Sequence, residues 1–144
     1  MCIRDRLPTP ETHAKIVTLT SGVAFDRFPA LSAYGMSKLA VMDLMTYVAL
    51  ENPNVLAVAL HPGIIDTDMI KDAFKPFALD TPELVGGVGV WLAGWEGADR
   101  AFLNGRYLSS NWDVEDLVKK GKEIEKDGLL KMDLKGAAQF GQQK

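Results

Sequence analysis

Cysteine is nearly missing from this chain: Cys2 is the only one, so no intramolecular disulfide can staple it. Histidine is almost as scarce, and two histidines with one cysteine offer no metal-ligand spacing. No apolar run has the length of a bilayer span. The N-terminal Met1-Cys2-Ile3-Arg4-Asp5-Arg6 is too charged to be a signal peptide. Basic excess is missing too, because a net charge of −3 leaves no electrostatic footprint for nucleic acid or for an acidic membrane. These absences set three expectations: no nucleic-acid partner, no membrane partner and, from missing targeting signals alone, a cytoplasmic location.

What is present is ordinary globular material. A chain of 144 residues with 47% hydrophobic and 24% charged residues can build one domain with a real core. Residues 1–6 make no sense as a first strand or helix and are read as a non-native or unstructured leader, residues 7–128 as the folded unit and 129–144 as a polar tail. Lys15-Ile16-Val17-Thr18-Leu19-Thr20 is a β-branched run that reads as a buried strand ending in Ser21-Gly22. After a loop containing Pro29, Ser32 is placed to cap a helix over 32–51, stopped by Asn52-Pro53. Val55-Leu56-Ala57-Val58-Ala59-Leu60 is apolar throughout, as a parallel strand covered on both faces should be.

Residues 66–80 show no periodicity and read as a loop with a short helical turn. A second helix is expected over 82–95, capped by Thr81 with Pro82 at its first position. Gly105-Arg106-Tyr107-Leu108-Ser109 reads as a third strand, and 114–127 as a surface helix ended by Gly128. The fold class that follows is α/β: a partial Rossmann-type, doubly wound parallel sheet in the order strand, helix, strand, helix, strand, with an appended C-terminal helix.

Ligands in such sheets bind beyond the carboxyl ends of the strands. Ser21, Tyr34 in the first turn of the next helix, and His61-Pro62-Gly63 all fall at that edge. Tyr34 and Lys38 lie four apart and share a helix face, in a stripe continued by Val41, Met45 and Val48. A lysine in that stripe is either paired in a cleft or snorkels to water, and spacing alone does not choose. The pairing has chemical value. A free phenol has a pKa near 10, and a nearby cation and a helix N-terminus both favour its ionised form. Such a phenol can exchange a proton with a carbonyl or alcohol oxygen, while a serine hydroxyl orients that oxygen. No side chain here supplies a hydride, so a redox cofactor must.

Here the chain resembles a known family. Tyr34-Gly35-Met36-Ser37-Lys38 is similar to the YxxxK motif of the short-chain dehydrogenases/reductases, and Ser21 stands thirteen residues before Tyr34, the spacing of that family's serine. Leu19-Thr20-Ser21-Gly22 fills the place of its ISS segment with Thr20 for the first serine, and Pro62-Gly63-Ile64-Ile65-Asp66-Thr67 resembles its PGxxxT segment. The resemblance covers about two-thirds of the chain, from Lys15 to Asp116. It implies an oxidoreductase using NAD or NADP to interconvert a secondary alcohol and a carbonyl, with a small-molecule substrate. Tyr34 would be the general acid/base, Lys38 its helper and a ligand of the nicotinamide ribose, and Ser21 the residue that orients the substrate oxygen. Pro62, Gly63 and Ile65 would line the nicotinamide pocket, Thr67 would contact the cofactor, and residues 68–80 would form the substrate lid.

The departures matter equally. The family's TGxxxGxG turn, its NNAG segment and its proton-relay asparagine are absent, and Gly86-Gly87-Val88-Gly89 lacks the spacing to replace them. The chain is therefore expected to be the C-terminal, catalytic half of the fold, a fragment whose activity on its own the sequence leaves open.

Other readings are weaker. Ser21, His61 and Asp66 do not form a hydrolase triad, since Leu19 and Val23 occupy the glycine positions of a nucleophile elbow. His61 reads as a satisfied structural histidine. The three glycines at 86, 87 and 89 signal either an irregular helix or close packing, against the sheet or a second subunit. Met36, Ala40, Leu44 and Tyr47 form a second apolar stripe, which suits the homo-oligomer that the resemblance implies or the first half of the fold. The alternative function is a non-catalytic dinucleotide-fold sensor or scaffold, against which the joint presence of Ser21, Tyr34 and Lys38 argues.

Overall fold

The computed structural model describes residues 14–94 and 102–134. The leader at 1–6, Trp95 and the tail beyond 134 lie outside the described residues. Three strands form one parallel sheet in the order β1-β2-β3: β1 (Ala14–Leu19), β2 (Val55–His61) and β3 (Arg106–Ser109). Leu19 pairs with Leu60 and Leu60 with Leu108, so the three strands end at nearly one level. Helix α1 (Ser32–Glu51) joins β1 to β2, and α2 (Pro82–Gly94) lies between β2 and β3 in the chain. Two short helices, α3 (Val114–Lys119) and α4 (Gly121–Lys126), follow β3.

The central strand explains how the layers assemble. Leu56, Val58 and Leu60 point to one face, where they pack with Val88 and Leu92 of α2, Phe102, Leu103, Leu117 and Ile124. Ala57 and Ala59 point to the other, against Met42 and Met45 of α1 and Tyr107 of β3. The alanines leave room for α1 to settle on the sheet with methionines filling the gap. Helices on both faces of a parallel sheet are the partial Rossmann-like arrangement that the strand and helix order predicts. No helix among the described residues is long and apolar enough to cross a membrane.

Three local expectations need correction. The first strand is not buried: Ile16 and Val17 are each 37% exposed and Leu19 51%, because β1 pairs only with β2 among the described residues. Ser32 does not cap α1; Leu31 holds that position without a side-chain bond, and Ser32 is the first helical residue. The expected surface helix over 114–127 is two helices broken at Lys120, which adopts φ −87° and ψ 0°. Leu117 and Ile124 on them are buried in the core, and the Phe102 ring lies against Gly121. Asp113, unread in the sequence, caps α3 by accepting from the Glu115 and Asp116 N–H groups at 2.8 and 3.1 Å.

The three glycines lie in a regular α2, and a Cβ at Gly86, Gly87 or Gly89 would touch nothing within 4 Å among the described residues. Close packing against the sheet is therefore not their role. Thr81 does cap α2, accepting weakly from the Leu84 N–H at 3.4 Å. Beyond α4 the chain turns back onto β3, where the Tyr107 N–H donates to the Leu130 carbonyl at 2.9 Å and Arg106 Nε to the Leu129 carbonyl at 3.0 Å.

Candidate active site

The end of β1 runs straight into the site. Beyond Leu19 the Thr20 N–H still donates to the Leu60 carbonyl at 2.8 Å, holding the chain on the sheet. Ser21 follows in extended conformation, and a 3₁₀ turn over Gly22–Ala24 begins at once. The Ser21 hydroxyl makes no capping bond to that turn, so it does not serve as the strand-end cap that its position alone suggests.

Helix α1 starts against the same turn. A Cβ on Gly35 would sit 2.9 Å from the Val23 carbonyl oxygen, so the close approach needs glycine there. This approach sets Tyr34, in the first turn of α1, beside the end of β1. Tyr34 is 40% exposed. The Lys38 ammonium lies 5.6 Å from the centre of the Tyr34 ring, within cation–π range, and donates to the Leu19 carbonyl at 3.0 Å. Lys38 thus has a backbone partner at the strand end, in a part-exposed position. Thr20 adds a tie that the sequence reading missed: its buried hydroxyl donates to the Lys38 carbonyl at 2.9 Å, pinning α1 to β1.

Pro62, Gly63, Ile65 and Thr67 follow β2 at the same sheet edge. Gly63 takes φ +84°, a conformation that L side chains rarely adopt, and a Cβ there would overlap the Asp80 carboxylate. The Ile64 N–H donates to Asp80 Oδ2 at 2.6 Å, the Asp80 N–H returns to the Ile64 carbonyl at 3.2 Å, and Ile65 pairs with Asp80 in an isolated parallel bridge. Asp80 was legible only as the end of a loop; sixteen residues separate it from Ile64, with no periodic signal between them. Thr67 is exposed and borders an open polar depression together with Asp66, Asp68, Ile70 and Lys75; Ser21, Tyr34 and Lys38 are not among its lining residues.

His61 departs from its expected role. Its Nδ1 is buried without a hydrogen-bond partner among the described residues, so it is not a satisfied structural histidine. Burial holds its pKa below the usual imidazole value, with the Asp80 charge opposing in part. The ring stacks on Tyr107 at 6.2 Å, and Phe25 and Trp112 meet Tyr107 edge-on at 5.1 and 5.7 Å. The buried Tyr107 phenol is pushed up to about 12, first by burial and then by the Asp26 charge, with a Ser109 hydrogen bond opposing.

These elements can do oxygen chemistry at an open edge: a phenol, an ammonium against it and a serine at the adjacent strand end. The residues present also fit one half of a dinucleotide. The groups at that edge that such a ligand could use are the backbone of the turn after β2, exposed Thr67 and the Lys38 ammonium. They do not include a glycine-rich turn for the pyrophosphate.

Comparison with known proteins agrees with this geometry. The family model for short chain dehydrogenases matches residues 2–76, more than half of the chain. A short chain dehydrogenase of Monascus purpureus (mpl6) is 37% identical over 124 residues, covering 83% of this chain and 41% of the relative. One from Claviceps purpurea is 36% identical over 126 residues, covering 83% and 42%. The chain thus spans well under half the length of these relatives. Among solved structures, the KRED1-Pglu enzyme superposes with a TM-score of 0.55 at 30% identity, over 65% of this chain and 46% of that one. A short chain dehydrogenase from Salmonella enterica serovar Typhi gives 0.57 at 26% identity, over 69% and 42%. Motif spacing, sheet order and family match agree, and the chain belongs to the short-chain dehydrogenase/reductase family.

Proposed function

We propose that the protein carrying this chain is an NAD- or NADP-dependent oxidoreductase that interconverts a secondary alcohol and a carbonyl, with Ser21, Tyr34 and Lys38 as its catalytic residues. The observation that carries this reading is the Lys38 ammonium lying against the exposed Tyr34 ring at the end of β1. A bound nicotinamide would supply or accept the hydride that no side chain here can provide.

The chain's own residues do the rest. In the reducing direction the Tyr34 hydroxyl gives its proton to the carbonyl oxygen of the substrate; in the oxidising direction it takes the alcohol proton. Lys38 lies over the Tyr34 ring, and the N–H donors that it does not give to Leu19 would hold a ribose hydroxyl. Ser21 donates to the substrate oxygen and fixes its position. Pro62, Gly63 and Ile65 would line the nicotinamide pocket, and Thr67 would contact the carboxamide or phosphate. The exposed face of α1, with Met36, Leu44 and Tyr47, would pack against a second copy or against the first half of the fold.

The test is spectrophotometric. NADH and NADPH oxidation is followed with a panel of ketones and aldehydes, for wild type and for Tyr34→Phe. Carbonyl-dependent oxidation that disappears in the variant supports the reading. Oxidation that survives the loss of the Tyr34 hydroxyl contradicts it.

A further inference from the structure

We infer that Asp80 is a positioning residue that clasps the nicotinamide turn to the end of β3. This inference rests on the nicotinamide reading of that turn. The turn itself has little to hold it, since Pro62 and Gly63 contribute no side-chain hydrogen bonds. Asp80 supplies the missing ties. One carboxylate oxygen accepts the Ile64 N–H at 2.6 Å, and the other accepts from the Asn111 side-chain amide. Asn111 in turn is fixed by Ser109, whose hydroxyl donates to Asn111 Oδ1 at 3.3 Å and accepts from the Asn111 N–H at 3.4 Å. A continuous chain of bonds therefore runs from Ile64 through Asp80 and Asn111 to Ser109, joining the ends of β2 and β3.

The same contact closes the neck of the 66–79 loop. Ile64 and Asp80 exchange backbone and side-chain bonds at its two ends, so the base of the loop is tied shut. Gly63 is part of the device: its positive φ brings backbone against the carboxylate, where any side chain would overlap. An ionised carboxylate accepting an amide N–H is one of the stronger hydrogen bonds available, and two of them on one residue remove most of the freedom of the turn. A turn that must present fixed backbone groups to a ligand binds better when its ordering cost is met before binding.

The experiment compares wild type with Asp80→Ala, Asp80→Asn and the double variant Asp80→Asn/Asn111→Asp. The single amide substitution removes the carboxylate charge and one of its two acceptor oxygens, whereas the double variant restores a carboxylate–amide pair and conserves total charge. Amide hydrogen exchange at Ile64 reads the clasp without any ligand, and fluorescence titration with NADH and NADPH reads its effect on the nicotinamide site. The single variants are expected to exchange faster at Ile64 and to bind nicotinamide about tenfold or more weakly, as for one lost charge-assisted hydrogen bond. The double variant is expected to recover both.

Unchanged exchange at Ile64 in Asp80→Ala overturns the clasp. Faster exchange with unchanged NADH and NADPH affinity overturns the positioning role. If Asp80→Ala fails to fold, the double variant decides: folded with wild-type affinity it supports the inference, folded with the affinity of Asp80→Asn it overturns it. A full-length wild-type protein carrying this chain that binds neither nucleotide overturns the functional reading and this inference together, a result visible before any variant is made.

Discussion

The two halves of the sheet edge are built on opposite principles. Where β1 meets α1, the proposed catalytic residues are lightly held and open: Tyr34 is 40% exposed, and the Ser21 hydroxyl makes no capping bond. Where β2 meets β3, the residues are interlocked, with Gly63, Ile64, Asp80 and Asn111 tied in sequence and His61, Phe25, Tyr107 and Trp112 stacked beside them. Tyr34 stands open on one side, and the other side is a frame of bonded and stacked groups. The tyrosines show the difference most plainly. Tyr107 is buried with its phenol pushed up to about 12, so it keeps its proton through the physiological range. Tyr34 faces solvent beside a lysine.

The largest expected effect breaks or upholds this contrast. Tyr34→Phe should cut turnover by roughly 10²–10⁴-fold, the usual worth of a positioned proton donor, with the thermal midpoint unmoved. Tyr107→Phe should leave turnover nearly intact. Equal losses in steady-state kinetics would erase the distinction between the two sides. Next in size is the core beneath them. Leu60, 1% exposed at the level where the strands end, should cost about 2–5 kcal/mol when truncated to alanine, read by urea denaturation.

Smaller effects sharpen the frame. The folded-state pKa of His61 lies below its ordinary value, so the unfolded chain binds more protons as pH falls below about 6.5. Stability should therefore be full above that pH and decline below it, and His61→Gln should flatten this acid slope in pH-dependent melting. Tyr107 acts with the opposite sign. Its raised pKa contributes stability that is present below pH 10 and lost as pH climbs toward about 12. Least of all, Gly86→Ala, on an exposed helical site with open space at its Cβ, should stabilise the chain by about 1 kcal/mol. A loss there would show that the glycine face of α2 packs against another copy or another segment.

The same contrast separates what was legible in the sequence from what was not. The site at β1 and α1 is written in local spacings: Ser21 to Tyr34, Tyr34 to Lys38, and an unbroken apolar β2 that had to be central. The frame is written in long-range contacts. Nothing near Asp80 signals Ile64 or Asn111, sixteen and thirty-one residues away, because a loop aspartate satisfies no periodic template. The exposure of β1 depends on which strands flank it, a property of the sheet and not of a β-branched run. The break at Lys120 was hidden for a related reason, since Leu117 and Ile124 must both reach the core and one straight surface helix was the simpler pattern.

The central claim is that the Tyr34 hydroxyl and a nicotinamide act on one substrate oxygen–carbon pair. Reduced cofactor carrying deuterium at its reactive ring carbon, incubated with a turned-over ketone, tests it directly. Deuterium on the carbinol carbon of the product with wild type, and none with a Tyr34→Phe protein that still binds the cofactor, is the expected result. Label transferred equally by both proteins, or cofactor bound by wild type with no transfer to any carbonyl compound, would contradict the account.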